Sequence, residues 1–364
     1  MQPKHLKEKK KKNVFLIIFL IIIGVTLLLC GTVFALWMHG RSELTAAVAT
    51  PVLPAPAEET DGTPAPEDES APELLDSHTI RHNGKYYRYN DSIINLLLIG
   101  VDSPGMPVKS ETCGGDYQAD VIVIAALDTA NSKVTLIAVS RDTMCNIEVL
   151  DSDGTSLGFS TSQLALSYSN GDGSKLSCEL CRDAVSDLFF GLQFHGYAAF
   201  YLGGIADLND ALGGVTVTVL DDYPFTKISS CWNMYPGAEV TLTGTQAQSY
   251  IRSRLDTVDG NALRMQRQKQ YMLSMISTAK QIVKQDPSSV FSLYGAVSDY
   301  IVTDLNIGSL AYLATSAAAM DFSGEILSVE GTSVLGSGNH MELTADPDAL
   351  SELILDVFYT EVTP

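Results

Sequence analysis

The sequence predicts an α/β domain with a central mixed β-sheet flanked by helices on both faces, preceded by one transmembrane helix. Three observations predict it. Short apolar runs of strand length alternate with amphipathic stretches of helical period. An uncharged apolar run near the amino terminus is long enough to cross a bilayer. A proline-rich segment with almost no aromatic residue separates that run from the alternating region.

In chain order, residues 1–13 form a basic tail, with Lys4, Lys7, Lys9, Lys10, Lys11 and Lys12 opposed by Glu8. The run 14–38 (Val14 to Met38) carries no charged side chain over 25 residues, and a helix needs roughly 20 to span the hydrocarbon core. A secretory signal has an apolar region of only about 7–15 residues; a signal cut near Ala47–Ala49 is the plainer alternative. The lysines place the amino terminus in the cytoplasm. The expectation is a single-pass cell-membrane protein with its remaining residues extracytoplasmic. Residues 39–79 hold Pro51, Pro54, Pro56, Pro64, Pro66 and Pro72 and are expected to be a disordered linker.

Residues 80–362 are expected to form the globular domain. Ile93–Gly100, Val121–Leu127 and Val134–Ser140 read as buried strands, the last two joined by a turn over Asp128–Lys133. Cys178–Phe190 reads as a helix, Ala198–Tyr201 as a short strand, and Gly204–Leu212 as a helix ended by Gly213-Gly214. Val215–Leu220 alternates as a strand. Thr243 and Gln246 have capping-box spacing, starting a helix that runs to about Ile251. A long helix over Asn261–Lys284 would set Met272, Ile276, Ala279 and Val283 on its core face. Asn306–Ala319 and Pro347–Tyr359 read as further helices.

The chain has 23 basic and 43 acidic residues, a formal charge of −20. Without the tail the remainder carries −25, which repels nucleic acid. No nucleic-acid partner is expected. Cys30 lies in the apolar run, leaving Cys113, Cys145, Cys178, Cys181 and Cys231 beyond it. An odd number gives no complete disulfide framework, and the lone Cys178-x-x-Cys181 reads as free thiols or one local bridge on a helix.

Two clusters carry chemistry. The hairpin turn is centred between Ala130 and Asn131, so an unbulged pairing sets Asp120 opposite Arg141. Asp102 follows the Ile93–Gly100 strand; if that strand parallels Val134–Ser140, all three charges share one sheet edge, where open α/β sheets bind ligands. A turn aspartate and an ordinary cross-strand ion pair are the bland alternative. The second cluster holds four of the nine arginines: Arg252, Arg254, Arg264 and Arg267. Arg264, Arg267 and Gln268 stand at i, i+3 and i+4 near a helix amino end, hence on one face. Guanidinium forks pair with phosphate oxygens, so the cluster suits a pyrophosphate; ion pairing with Asp256 and Asp259 is the alternative. Two aspartates beside a phosphate cradle suggest a hard divalent cation. No P-loop, GxSxG or HExxH occurs.

These stretches resemble the LytR-CpsA-Psr family of cell-wall enzymes. The resemblance rests on Asn95–Ser103, Ala119-Asp120, Lys133–Thr143, Asp210–Val217, Leu242–Ala247, Tyr250–Arg254 and Arg264–Gln268, in family order. It implies a phosphotransferase that moves a glycopolymer from a polyprenyl-pyrophosphate carrier onto peptidoglycan, at the membrane lipid surface. By motif, Asp102 and Asp120 would bind Mg²⁺, with Mn²⁺ as the alternative. Arg141, Arg252, Arg254, Arg264 and Gln268 would hold the pyrophosphate, with Arg267 supporting them. Asp102, Arg141, Arg252 and Arg254 are the catalytic candidates, and the family fold buries the lipid tail in an apolar pocket. Pro104, Gln118 and Ala165–Tyr168 depart from the family pattern. A polyprenyl-pyrophosphate hydrolase and a non-catalytic module binding lipid-linked sugars are the rival expectations.

Overall fold

The computed structural model describes residues 32, 34–46, 48–53, 73–74, 78–115, 117–221, 223–253, 260–336, 338 and 340–363. They fall into two compact units. The smaller contains the described residues up to Ala46 together with Asn306–Leu313. In it residues 34–44 are helical (α1). Glu43 accepts hydrogen bonds from Asn306 Nδ2 and from Ser309 Oγ (3.2 Å), and Trp37 meets the Tyr312 ring edge-on at 5.2 Å. Among the described residues no helix is long and apolar enough to cross a membrane. Most of the stretch Val14–Met38 lies outside the described residues.

In the larger unit β1 (Glu73–Leu74), β2 (Thr79–His82) and β3 (Lys85–Tyr89) precede the long strands β4 (Ile93–Val101), β5 (Ala119–Asp128) and β6 (Lys133–Val139). A hairpin of β7 (Met144–Leu150) and β8 (Ser156–Gln163) follows, then α2 (Ala165–Ser169), α3 (Lys175–Leu188), β9 (Gly196–Tyr201) and α4 (Ile205–Ala211). Strands β10 (Val215–Thr218) and β11 (Glu239–Leu242) lead into α5 (Gly244–Arg252), α6 (Gly260–Gln285) and α7 (Ser289–Val297). Next come β12 (Ile301–Thr303), α8 (Ile307–Ala319, whose residues to Leu313 belong to the smaller unit), β13 (Asp321–Ser328), the hairpin of β14 (Gly331–Leu335) and β15 (Met341–Ala345), α9 (Pro347–Phe358) and β16 (Tyr359–Val362).

The expected central mixed sheet is present, with six strands in the order β12-β9-β4-β5-β6-β13. β4 runs parallel to β9 and antiparallel to β5, and β5 antiparallel to β6. The carboxyl ends of β4, β6 and β9 therefore share one edge. Alternation sorts the side chains between two cores. Leu97, Ile99, Ile122, Ile124 and Ile137 pack with α3 and α9 through Cys181, Val185, Ile354 and Phe358. A second core joins α4, α5, α6, β10 and β11 through Ile205, Ala247, Tyr250, Tyr271, Val217 and Val240, with Phe200 of β9 against it. Helices thus serve both faces, as the sequence predicts.

Local signals explain the elements. Thr243 and Gln246 form the full capping box of α5. Gly213 and Gly214 adopt φ of +76° and +99° after α4, a conformation glycine enters without steric cost. Asp128 Oδ1 accepts from the amides of Ala130 and Asn131, closing the hairpin turn.

Two expectations change, and the cysteines take the first of their two readings. Part of the segment 39–79 is ordered: helix α1 continues to residue 44, Val52 N–H donates to the Phe190 carbonyl (2.8 Å), and Leu53 is buried in the main core. An apolar side chain and two main-chain partners hold it, since Pro51 accepts from the Tyr359 hydroxyl. Residues 54–72 and 75–77 lie outside the described residues. On α6, Tyr271, Met275, Ala279 and Ile282 pack on the second core, whereas Met272 and Ile276 remain half-buried on the neighbouring flank. The cysteines Cys145, Cys178 and Cys181 are buried and free. Burial pushes the Cys145 and Cys181 thiols up to about 12 and raises Cys178 as well, so they act as packing groups.

Candidate functional site

Register places the first pair of charges. Every β5–β6 pair from Ile122–Val139 to Asp128–Lys133 follows the expected alignment, which carries Asp120 opposite Arg141. The two side chains form an ion pair through Arg141 Nη1. On the other flank, Gly100 faces Val121 while Val101 faces Ala119, so Asp120 is the extra residue of a β-bulge. A Cβ at position 100 would lie 2.9 Å from the Val121 Cβ, so glycine permits this close approach. Bulges re-aim a side chain at the end of a strand. Gln118, two residues before Asp120, accepts a hydrogen bond from Arg141 Nη2.

The second pair joins β4 to α5. Asp102 follows the last residue of β4 and stays 41% exposed; its Oδ1 lies 3.3 Å from Arg252 Nη2. Arg252 is the last residue of α5, and Ser253 is extended. Arg254 lies outside the described residues. Two aspartate–arginine pairs thus stand at one sheet edge. The four side chains are 28–41% exposed, and pairs open to solvent are each worth about 0–1 kcal/mol to stability.

The residues expected on one face of α6 separate. Arg267 is buried to 1% exposure. Its Nε donates to the Tyr250 carbonyl (2.8 Å), and its Nη groups engage Asp221 and the Ser253 carbonyl. The guanidinium also lies 5.3–5.8 Å from the rings of Tyr223, Phe225 and Tyr250. Gln268 Nε2 donates to the Ile251 carbonyl at 3.1 Å. Helix carboxyl ends leave carbonyls without intrahelical partners; Arg267 and Gln268 satisfy several at the end of α5, behind Arg252. Arg264 is half-buried on the preceding turn.

An apolar floor adjoins the charges. Leu98 and Val121 point away from the main core and are 37% and 39% exposed, although β4 and β5 are central strands. Gly100, Ala138 and Ala198 share that face. Helix α6, about 39 Å long at ~1.5 Å per residue, extends from the end of α5 to the opposite edge, where Lys280 Nζ donates to the Met320 carbonyl beside the start of β13. Its half-buried Met272 and Ile276 are further apolar groups whose cover is incomplete.

The donor chemistry of Asp102 and Asp120 fits a hard divalent cation. Both offer carboxylate oxygen at adjacent strand ends, and two carboxylates leave coordination positions for phosphate oxygens and water. Groups of three or more His, Cys, Asp or Glu side chains suited to a metal do not occur among the described residues. Sequence reasoning missed Asp142, Gln163 and Asp221 as supporting groups. Asp142 was visible as the neighbour of Arg141; Gln163 carried no signal.

Comparison with known proteins bears on most of the chain. The family model LytR_cpsA_psr family matches residues 63–351. Biofilm regulatory protein A of Streptococcus mutans is 23% identical over 71% of this chain. The chain spans 61% of that relative's length. The polyisoprenyl-teichoic acid–peptidoglycan teichoic acid transferase TagU of Enterococcus faecalis is 24% identical, covering 68% of this chain and 72% of its own. In fold, protein gbs0355 of Streptococcus agalactiae superposes with a TM-score of 0.57 at 20% identity, over 73% of this chain and 86% of its own. TagT, solved bound to LI-WTA, gives 0.54 at 17% identity, over 73% and 89%. The chain belongs to the LytR-CpsA-Psr family.

Proposed function

We propose that this protein is a membrane-anchored phosphotransferase that moves a glycopolymer from a polyprenyl-pyrophosphate carrier onto peptidoglycan. The reading is carried by one observation: two aspartate–arginine pairs, Asp102–Arg252 and Asp120–Arg141, stand at the sheet edge beside a partly exposed apolar floor. A lipid-linked pyrophosphate has the matching halves. Its phosphates suit the arginines, and its prenyl chain suits Leu98, Val121 and the open flank of α6. The family relatives that bear transferase names agree with it.

Arg141 and Arg252 would turn from their aspartates to the pyrophosphate, with Arg254 and Arg264 adding donors. Asp102 and Asp120, released from the arginines, would hold Mg²⁺ or Mn²⁺. When bound, such an ion neutralises charge on the transferred phosphoryl group. The acceptor hydroxyl attacks the phosphorus that carries the sugar, forming a new P–O bond as the bond to prenyl phosphate breaks; its proton is released to water. Arg267 and Gln268 keep the end of α5 in place so that Arg252 starts close to the phosphate. The stretch Val14–Met38 would anchor the chain, with the lysine tail in the cytoplasm and the domain outside.

The test is transfer itself. The full chain in detergent, given a prenyl-pyrophosphoryl glycopolymer, isolated wall and Mg²⁺, should attach polymer covalently to the wall. Arg252→Ala should lower the rate roughly 100-fold. Release of polymer to water at the same rate with and without wall would make the protein a hydrolase instead.

A further inference from the structure

We propose that Gln163 and Asp142 form a positioning pair for Arg141, with Gln163 holding the Asp142 carboxylate back from the guanidinium. The inference rests on the reading of Arg141 as a phosphate-binding residue. Asp142 Oδ1 stands 3.8 Å from Arg141 Nε, beyond hydrogen-bond distance. The same oxygen accepts from Gln163 Nε2 at 3.1 Å. Gln163 Nε2 also donates to the Met341 carbonyl at 2.7 Å. An amide NH₂ has two protons, and each has one acceptor here. Both partners are oxygens that can only accept, so the nitrogen, not the amide oxygen, must occupy this position.

The frame around the pair is rigid. Gln163 ends β8, opposite Met144 of β7. The Asp142 carbonyl accepts from Leu343 N–H of β15 (2.9 Å), and the Arg141 carbonyl accepts from Ala165 N–H of α2 (3.0 Å). The backbone of Arg141 and Asp142 is thereby held, so side-chain rotation sets how closely the carboxylate approaches Nε. A direct charge-assisted bond there would compete with phosphate for the same guanidinium. Gln163 supplies the competing donor that prevents it. A glutamate at this position would have no proton to give and would repel Asp142. The hairpin of β14 and β15, through Met341, is thus coupled to the phosphate site.

The test is binding of geranyl pyrophosphate with Mg²⁺ to the full chain in detergent, by calorimetry. Gln163→Ala and the near-isosteric Gln163→Glu should each weaken binding about tenfold. Adding Asp142→Asn to either should recover most of the loss, because an uncharged side chain no longer competes for Arg141. A hairpin anchor with no effect on charge would leave the double variants as weak as the single ones, and that result overturns the proposal. Wild-type affinity in both Gln163 variants also overturns it. No binding in the wild type would instead remove the phosphate site on which the inference rests.

Discussion

At the scale of the residue, the arginines divide by burial. Arg252 is half-exposed and faces Asp102, whereas Arg267 is enclosed by Asp221, three aromatic rings and the carbonyls of Tyr250 and Ser253. Removing one partner from a buried, hydrogen-bonded ion pair costs about 3–5 kcal/mol. Arg267→Ala is therefore expected to lower the unfolding free energy by about that amount in urea denaturation, while Arg252→Ala should change it by less than about 0.5 kcal/mol. The i, i+3 and i+4 spacing alone did not distinguish Arg264, Arg267 and Gln268; only the family resemblance set Arg267 apart as a supporting group. In the structure Arg267 is enclosed by Tyr223, Phe225 and Tyr250, which precede its helix, while Gln268 caps the Ile251 carbonyl. Local pattern holds no information about that enclosure. Asp102, Asp120 and Arg141 were legible because strand ends and hairpin register depend on nearby residues only.

At the scale of the element, legibility followed hydrophobic contrast. β4, β5 and β6 are nearly continuous apolar runs, and their boundaries and alignment were readable. The β7–β8 hairpin was not, because β8 (Ser-Leu-Gly-Phe-Ser-Thr-Ser-Gln) is exposed along most of its length and has no apolar face to announce it. The bulge at Asp120 was also invisible, since it comes from the pairing with β4 rather than from the turn. The capping box of α5 was legible, because both of its partners lie within one turn. Its loss has a definite cost: Thr243→Ala should destabilise the protein by about 1 kcal/mol, read as a lower denaturation midpoint. Because α5 carries Arg252 at its far end, this variant also tests whether helix stability affects the candidate site. Pyrophosphate affinity should fall by less than a factor of three.

At the scale of the whole molecule, charge frames the account. A chain of net −20 repels anionic ligands over its general surface, so any phosphate must be met by a local cluster of cations. The edge of the central sheet offers such a cluster, already balanced by its own aspartates. The central claim is that a metal–pyrophosphate ligand exchanges partners with both pairs. Titration of the full chain with geranyl pyrophosphate, with Mg²⁺ and with EDTA, tests it most directly. The account predicts binding that needs the metal and weakens at least tenfold in Arg252→Ala and in Asp102→Asn. Equal affinity in EDTA and in both variants would contradict it.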